Sequence, residues 1–109
     1  MIGFIKQLFG GKSIDYKKLV AEGATIVDVR TPAEFKSGHI KNADHVFVGT
    51  LLKNLDKVSK DKKVVIHCQG GDRATIGYSL LAREGYNNVL NYSASMNEWI
   101  ALGNPVESI

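Results

Sequence analysis

Cysteine is nearly absent from this chain: its 109 residues include one, Cys68. A single thiol excludes an intramolecular disulfide and any cysteine-rich zinc site. A free thiol also suits a reducing compartment, so a cytoplasmic location is expected. Long hydrophobic runs are missing too. No stretch approaches the ~20 apolar residues of a membrane-spanning helix, so no membrane span is expected. Met1 to Phe9 is apolar around Lys6, but it has no basic lead-in and no small-residue cleavage site, which sets the expectation against a secretory signal. Positive charge is only slightly in excess, 14 Lys and Arg against 11 Asp and Glu, with a pI near 9.0. The lysines are dispersed, and the one dense patch, Lys60-Asp61-Lys62-Lys63, is interrupted by an acid. A nucleic-acid face needs a longer basic stripe, so no nucleic-acid partner is expected. His39 and His67 are not spaced as a metal pair with any Cys or carboxylate set. Each reads as a histidine capping a strand, and no metal site is expected. Internal repeats, low-complexity tracts and domain-sized linkers are likewise missing.

What remains is an ordinary globular composition, 44% hydrophobic and 23% charged, at a length that builds one core and no second. Ile2, Ile5, Leu8 and Phe9 fall at helical spacing, so residues 1–12 read as a short helical extension ended by Gly10-Gly11, ahead of a domain over 13–109. Ser13 or Asp15 can cap a helix through Tyr16, Leu19 and Val20 that Gly23 stops. Ala24 to Val29 is β-branched and apolar enough for a buried parallel strand. Thr31-Pro32-Ala33-Glu34 is a capping box with Pro at the first helical position, so a short helix to Ser37 follows. That duty accounts for Glu34. Gly38-His39-Ile40 breaks the helix. Asp44 to Val48 reads as a strand, Thr50 to Val58 as a helix with Leu51, Leu52 and Leu55 inward, and Val64 to His67 as the central strand. Arg73 to Glu84 is helical with Ile76, Leu80 and Leu81 on its inner side. Asn88 to Asn91 reads as a last strand, and Ser95 to Leu102 as a final helix carrying Trp99 into the core. Strands alternating with helices predict an α/β fold with a central parallel sheet covered on both faces. In such sheets the reactive loops lie at the carboxyl ends of the strands.

Cys68 lies at one such end, and Asp28-Val29-Arg30 at another. The run Cys68-Gln69-Gly70-Gly71-Asp72-Arg73 joins a strand to a helix through two glycines. Backbone N–H groups of such a turn point inward, and the helix dipole adds positive potential at the same place. These surroundings favour a thiolate nucleophile, where an isolated Cys at a strand end would be buried and inert. The glycines let the backbone curl around an anion without side-chain clash. Arg73 closes the loop and can rigidify it or touch an anionic donor. Asp28 and Arg30 read as hydrogen-bonding supports beside the site. His67 precedes Cys68, so strand alternation turns it to the opposite face from the sulfur.

Four pieces together resemble the single-domain rhodanese family of sulfurtransferases. They are Val27-Asp28-Val29-Arg30 with Pro32 and Glu34-Phe35; Gly38-His39-Ile40; Cys68-Gln69-Gly70-Gly71-Asp72-Arg73; and Trp99 followed by Gly103-Asn104-Pro105-Val106. The resemblance implies a rhodanese-like three-layer fold and a Cys68 persulfide that moves sulfane sulfur from thiosulfate or a persulfide to a thiophilic acceptor. It implies Cys68 as the catalytic residue, and Gln69, Gly70, Gly71, Asp72 and Arg73 as the substrate-binding loop. No metal or organic cofactor is implied. The similar loop of cysteine phosphatases has five residues between Cys and Arg; four intervene here, and Asp72 would repel a phosphate dianion. Sulfur transfer is therefore favoured over phosphoryl transfer. Two departures stand out: Ala94-Ser95 replaces a glycine pair common ahead of the last helix, and Lys41-Asn42 replaces a common Pro-Gly. A turn needing positive φ at Ala94-Ser95 would be strained, while the Lys41-Asn42 change matters only to its own turn. The expected partners are a small sulfur donor and a thiol or cyanide acceptor, in a monomer or weak dimer. The alternative is a non-turnover sulfur carrier or binding module that delivers sulfur to a partner protein.

Overall fold

The computed structural model describes residues 16–109, so the extension over 1–12 and the cap at Ser13 or Asp15 lie outside the described residues. The chain runs through α1 (Tyr16–Ala21), β1 (Thr25–Asp28), α2 (Pro32–Ser37), β2 (His39–Ile40) and β3 (Asp44–His45). Two 3-10 segments, Val48–Lys53 and Leu55–Lys57, lead to β4 (Val64–His67), α3 (Asp72–Arg83), β5 (Val89–Asn91), α4 (Ser95–Ala101) and β6 (Val106–Glu107). Four strands form one parallel sheet in the order β3-β1-β4-β5. β1 and β4 are central, paired with Ile26 opposite Val65 and Asp28 opposite His67. Both are covered on two faces, which is why their apolar residues run continuously instead of alternating with polar ones.

Alternation along these strands divides the core in two. Val27, Val64 and Ile66 pack with Leu51, Val58, Ala74 and Leu81 beneath α3 and the 3-10 segments. Ile26 and Val65 pack with Ile40, Tyr92, Met96 and Trp99 on the α4 face, where Leu19 of α1 also lies. This is the α/β arrangement with a covered parallel sheet that the residue pattern predicts.

Several boundaries differ from the sequence reading. Residues 50–58 do not form an α-helix. Their backbone turns in two tight segments with a break at Thr50 (φ −125°), so Leu51 is buried while Leu52 is half exposed. The inner face of α3 is Ala74, Gly77 and Leu81, not Ile76, which is 54% exposed. Small residues win there because the helix lies close on β4: a Cβ at Gly77 would stand 2.7 Å from Ile66 Cδ1. β3 covers only Asp44–His45, although Val46 and Val48 still donate to Asp28 and Val29 carbonyls. β2 and β6 pair antiparallel, His39 with Glu107 and Ile40 with Val106; the sequence reads His39–Ile40 only as a break and assigns no strand to Val106–Glu107. Trp99 is buried, and its indole N–H donates to Pro105 O at 2.8 Å, tying β6 to α4. Among the described residues no helix is long and apolar enough to cross a membrane.

Candidate active site

Cys68 follows the last residue of β4 and is 1% exposed. Its Sγ accepts the N–H of Gly71 at 3.1 Å and of Ala74 at 3.3 Å. Gly71 is the N-cap of α3 and Ala74 its third helical residue. In an ordinary helix an N-cap side chain would take the Ala74 donor. Glycine has none to offer, so the cysteine sulfur fills that place at the positive end of a 12-residue helix. Gly71 cannot be replaced cheaply: its φ is +106°, and a Cβ would collide with the Ser93 carbonyl oxygen. Its own carbonyl accepts from Thr75 N and Oγ1.

The start of α4 holds the other side of the loop. Met96 N donates to Cys68 O at 3.0 Å, and Asn97 N to Gln69 O at 3.1 Å. Cys68 N donates to Ser95 Oγ at 3.0 Å, and that hydroxyl donates to Tyr92 O at 2.7 Å. The loop's first two carbonyls are thus drawn outward to α4, while N–H groups of Gly71 and Ala74 turn in to the sulfur. Gly70 and Asp72 are exposed.

Two arginines stand beside the loop. Arg30 is 3% exposed; its guanidinium donates to both Asp28 oxygens at 2.7–3.1 Å, to Gly38 O at 2.7 Å and to Gln69 Oε1 at 3.1 Å. Gln69 Nε2 in turn donates to Asn97 Oδ1 at 2.9 Å, so one side chain bridges β1's end to α4. Asp28 and Arg30 thus lie beside the loop and are joined to it through Gln69. Arg73 is half-buried and makes a two-pronged pair with Glu34 at 2.7 and 3.0 Å. Glu34 also accepts from Thr31 N and Oγ1, both at 3.0 Å. Hydrogen bonding from Arg73, with help from Thr31, holds the Glu34 carboxyl down to about 2, and the Arg73 guanidinium is raised in return, chiefly by the same bond. Capping alone therefore does not account for Glu34, a correction to the sequence reading.

His67 is fully buried on the strand face opposite the sulfur. Its Nδ1 lies 3.2 Å from Cys68 O, which requires an Nδ1–H donor. Nε2 then faces Asp28 Oδ2 at 3.7 Å and has no hydrogen-bond partner among the described residues. Burial pushes the His67 pKa down, against an upward pull from Asp28. His39 stacks on Phe35 at 3.6 Å, with Nδ1 2.6 Å from Phe35 O. Among the described residues no group of His, Cys, Asp and Glu is placed to hold a metal ion.

Cys68, buried after a central parallel strand with two N–H groups of a helix start on its sulfur, lies within residues 14–102, which match the rhodanese-like domain pattern. The chain belongs to the rhodanese-like family. A sulfurtransferase of Allochromatium vinosum is 30% identical over 95 residues, covering 87% of this chain and 89% of that protein. A thiosulfate sulfurtransferase of Pseudomonas entomophila is 27% identical and shares 74% of each chain. Among solved structures, a rhodanese-related protein of Thermoplasma volcanium superposes with a TM-score of 0.78 at 27% identity, covering 89% of this chain and 98% of that one. A rhodanese-like domain protein of Staphylococcus aureus gives 0.75 at 30% identity, covering 87% and 92%.

Within this rhodanese-like fold the two departures from the common glycines keep the left-handed backbone. Ser95 has φ +50° and Asn42 φ +66°. Asn tolerates that conformation through its short polar side chain. Ser95 repays its strain locally, since its hydroxyl is the acceptor for Cys68 N. Sequence reasoning saw Ser95 only as a departure and missed Asn97 and Glu34 as loop contacts. The capping-box glutamate and the loop arginine are 39 residues apart, and no short-range pattern joins them.

Proposed function

We propose that this rhodanese-like protein is a sulfurtransferase that carries sulfane sulfur as a persulfide on Cys68. The observation that carries this reading is the pair of N–H groups, from Gly71 and Ala74, trained on Cys68 Sγ. They favour an anionic sulfur, and charge-assisted bonds of this kind contribute about 1.5–3 kcal/mol each. Cys68 Sγ attacks the sulfane sulfur of thiosulfate or a persulfide. A new S–S bond forms, the donor's S–S bond breaks, and sulfite or a thiolate leaves with the electron pair. A thiol or cyanide then attacks the outer sulfur and returns the Cys68 thiolate, giving ping-pong kinetics. The backbone of Gln69, Gly70, Gly71, Asp72 and Arg73 receives the outer sulfur, with Asp28 and Arg30 holding the loop. Such chemistry stays on sulfur and calls for no metal or organic cofactor. A free thiol nucleophile fits work in the reducing cytoplasm.

Intact mass after incubation with a sulfur donor, before and after cyanide, tests this. The expected result is a cyanide-reversible gain of one sulfur atom that Cys68→Ser abolishes while keeping its fold. Transfer by Cys68→Ser near the parent rate would overturn it.

A second reading has the persulfide delivered to a partner protein with little free turnover. The exposed crest of the loop, Gly70 and Asp72, favours it. Among the relatives is a putative sulfur carrier protein of Bacillus subtilis, 26% identical, of which this chain covers 42%. Vigorous thiosulfate–cyanide turnover by the isolated chain would count against this second reading.

A further inference from the structure

The cations at the candidate site are not free to meet an anionic donor. Arg30 is buried and committed to Asp28, Gly38 O and Gln69. Arg73, at the loop's closing position, has both terminal nitrogens on the Glu34 carboxylate. Asp72 stands exposed between the loop and α3. Neither the loop nor α4 carries another Lys or Arg, and Lys36, the one cation of α2, lies in that helix's last turn. Among the described residues beside the loop, the carboxylates of Asp28, Glu34 and Asp72 thus stand against the guanidiniums of Arg30 and Arg73, around a sulfur that is itself anionic when it attacks. Thiosulfate would bring two more negative charges to this rim. A hydropersulfide brings none at the reacting end when protonated.

We infer, on the basis of the sulfurtransferase reading above, that Glu34 is a specificity-determining residue: by neutralising Arg73 it selects hydropersulfide donors over dianionic thiosulfate. In the favoured loading step Cys68 Sγ attacks the outer sulfur of R–S–SH. The Cys68–sulfur bond forms, the donor's S–S bond breaks, and RS⁻ leaves with the electron pair. The proton of the outer sulfur passes to solvent or to the departing thiolate, and no net oxidation occurs.

Glu34→Gln isolates the charge. A glutamine in the third helical position preserves a capping box, so α2 keeps its N-terminal bonds with Thr31 while Arg73 loses its counter-charge. The measurement is the second-order rate of sulfur loading on Cys68 of the full chain, from thiosulfate and separately from cysteine hydropersulfide, read by intact mass. Steering by a newly free cation changes association of an anion by about 10-fold or more at low salt. Wild type is expected to load from the hydropersulfide at least about 10-fold faster than from thiosulfate, on the same electrostatic grounds. Glu34→Gln is expected to accelerate thiosulfate loading by about 10-fold and to leave hydropersulfide loading within about twofold. A purely structural role for Glu34 would move both donors together and overturns the inference. Equal loading of wild type from both donors also overturns it and leaves the sulfurtransferase reading intact. Wild type that takes sulfur from neither donor overturns both. Should Glu34→Gln fail to fold, ionic strength decides in the wild type. Thiosulfate loading that rises or stays level as salt screens the rim supports the inference, and a steep fall with salt reveals a free guiding cation and overturns it.

Discussion

Two arginine–carboxylate pairs flank the cysteine loop in opposite surroundings. Arg30 and Asp28 have side-chain exposures of 4% and 0%, while Arg73 and Glu34 have 31% and 35%. The buried pair is saturated: the guanidinium meets two carboxylate oxygens, a backbone carbonyl and Gln69. Desolvated charges are tolerable only with that completeness, and removing one partner leaves the other uncompensated. The outer pair can be broken while water solvates the remainder, so its worth to stability is small. One chemical motif therefore serves two ends. Beneath the loop it holds the ends of β1 and β4 together, and at the rim it sets the charge a substrate meets.

The largest expected effect comes from breaking the inner pair. Asp28→Asn keeps the shape and removes the charge that balances Arg30. The expected cost is about 3–5 kcal/mol, which in a domain of this size lowers Tm by about 10 °C or more. Thermal unfolding followed by circular dichroism measures it. A loss below about 1 kcal/mol would show that Arg30 is not truly desolvated and would erase the contrast between the two pairs.

A smaller effect is expected at Ser95, which joins the loop to α4 from a strained backbone. Ser95→Ala removes the acceptor for the buried Cys68 N–H while leaving φ at +50°. The expected loss is about 1–3 kcal/mol. Ser95→Gly loses the same hydroxyl but relieves the left-handed strain, which for other residues costs about 1–2 kcal/mol. Chemical denaturation is therefore expected to rank wild type above Ser95→Gly and Ser95→Gly above Ser95→Ala. An alanine variant as stable as wild type would show that the hydroxyl contributes nothing to the loop.

Local signals made most of this architecture readable. β-branched runs at Ala24–Val29 and Val64–His67, the Thr31–Glu34 capping box and the glycines at 23 and 71 each specify backbone through neighbours in sequence, and those elements stand where expected. The inner face of α3 does not follow hydrophobicity, because close approach decides it: Gly77 faces Ile66, and Ile76 is exposed. β2 and β6 escaped notice because a two-residue strand has no period, and its partner lies more than 60 residues away. The loop itself was legible as a turn around Cys68. Its anchors were not: Ser95, Asn97 and Glu34 act through contacts of 27 to 39 residues' separation. Such contacts depend on how the sheet brings α2 and α4 to one edge, which no window of sequence contains.

The outer pair gives the smallest stability effect and a pH signature that the inner pair cannot mimic. The Arg73 bond and Thr31 hold the Glu34 carboxyl at about 2, below its ordinary 4.5. A depressed carboxyl contributes stability that is present above the unfolded value and is lost as pH falls through the folded one. The pair's contribution should therefore be complete above pH 4.5 and gone near pH 2. Wild type compared with Glu34→Gln isolates it, because the amide still serves the α2 cap. At pH 6 the difference in unfolding free energy is expected to be below about 1 kcal/mol, reduced by solvent screening, and smaller still in about 1 M salt. It should then narrow progressively on acidification. A gap that stays constant from pH 6 down to pH 2 would assign Glu34 to capping alone. Arg73 would then be electrostatically free at neutral pH, and the division of labour between the two pairs would fail with it.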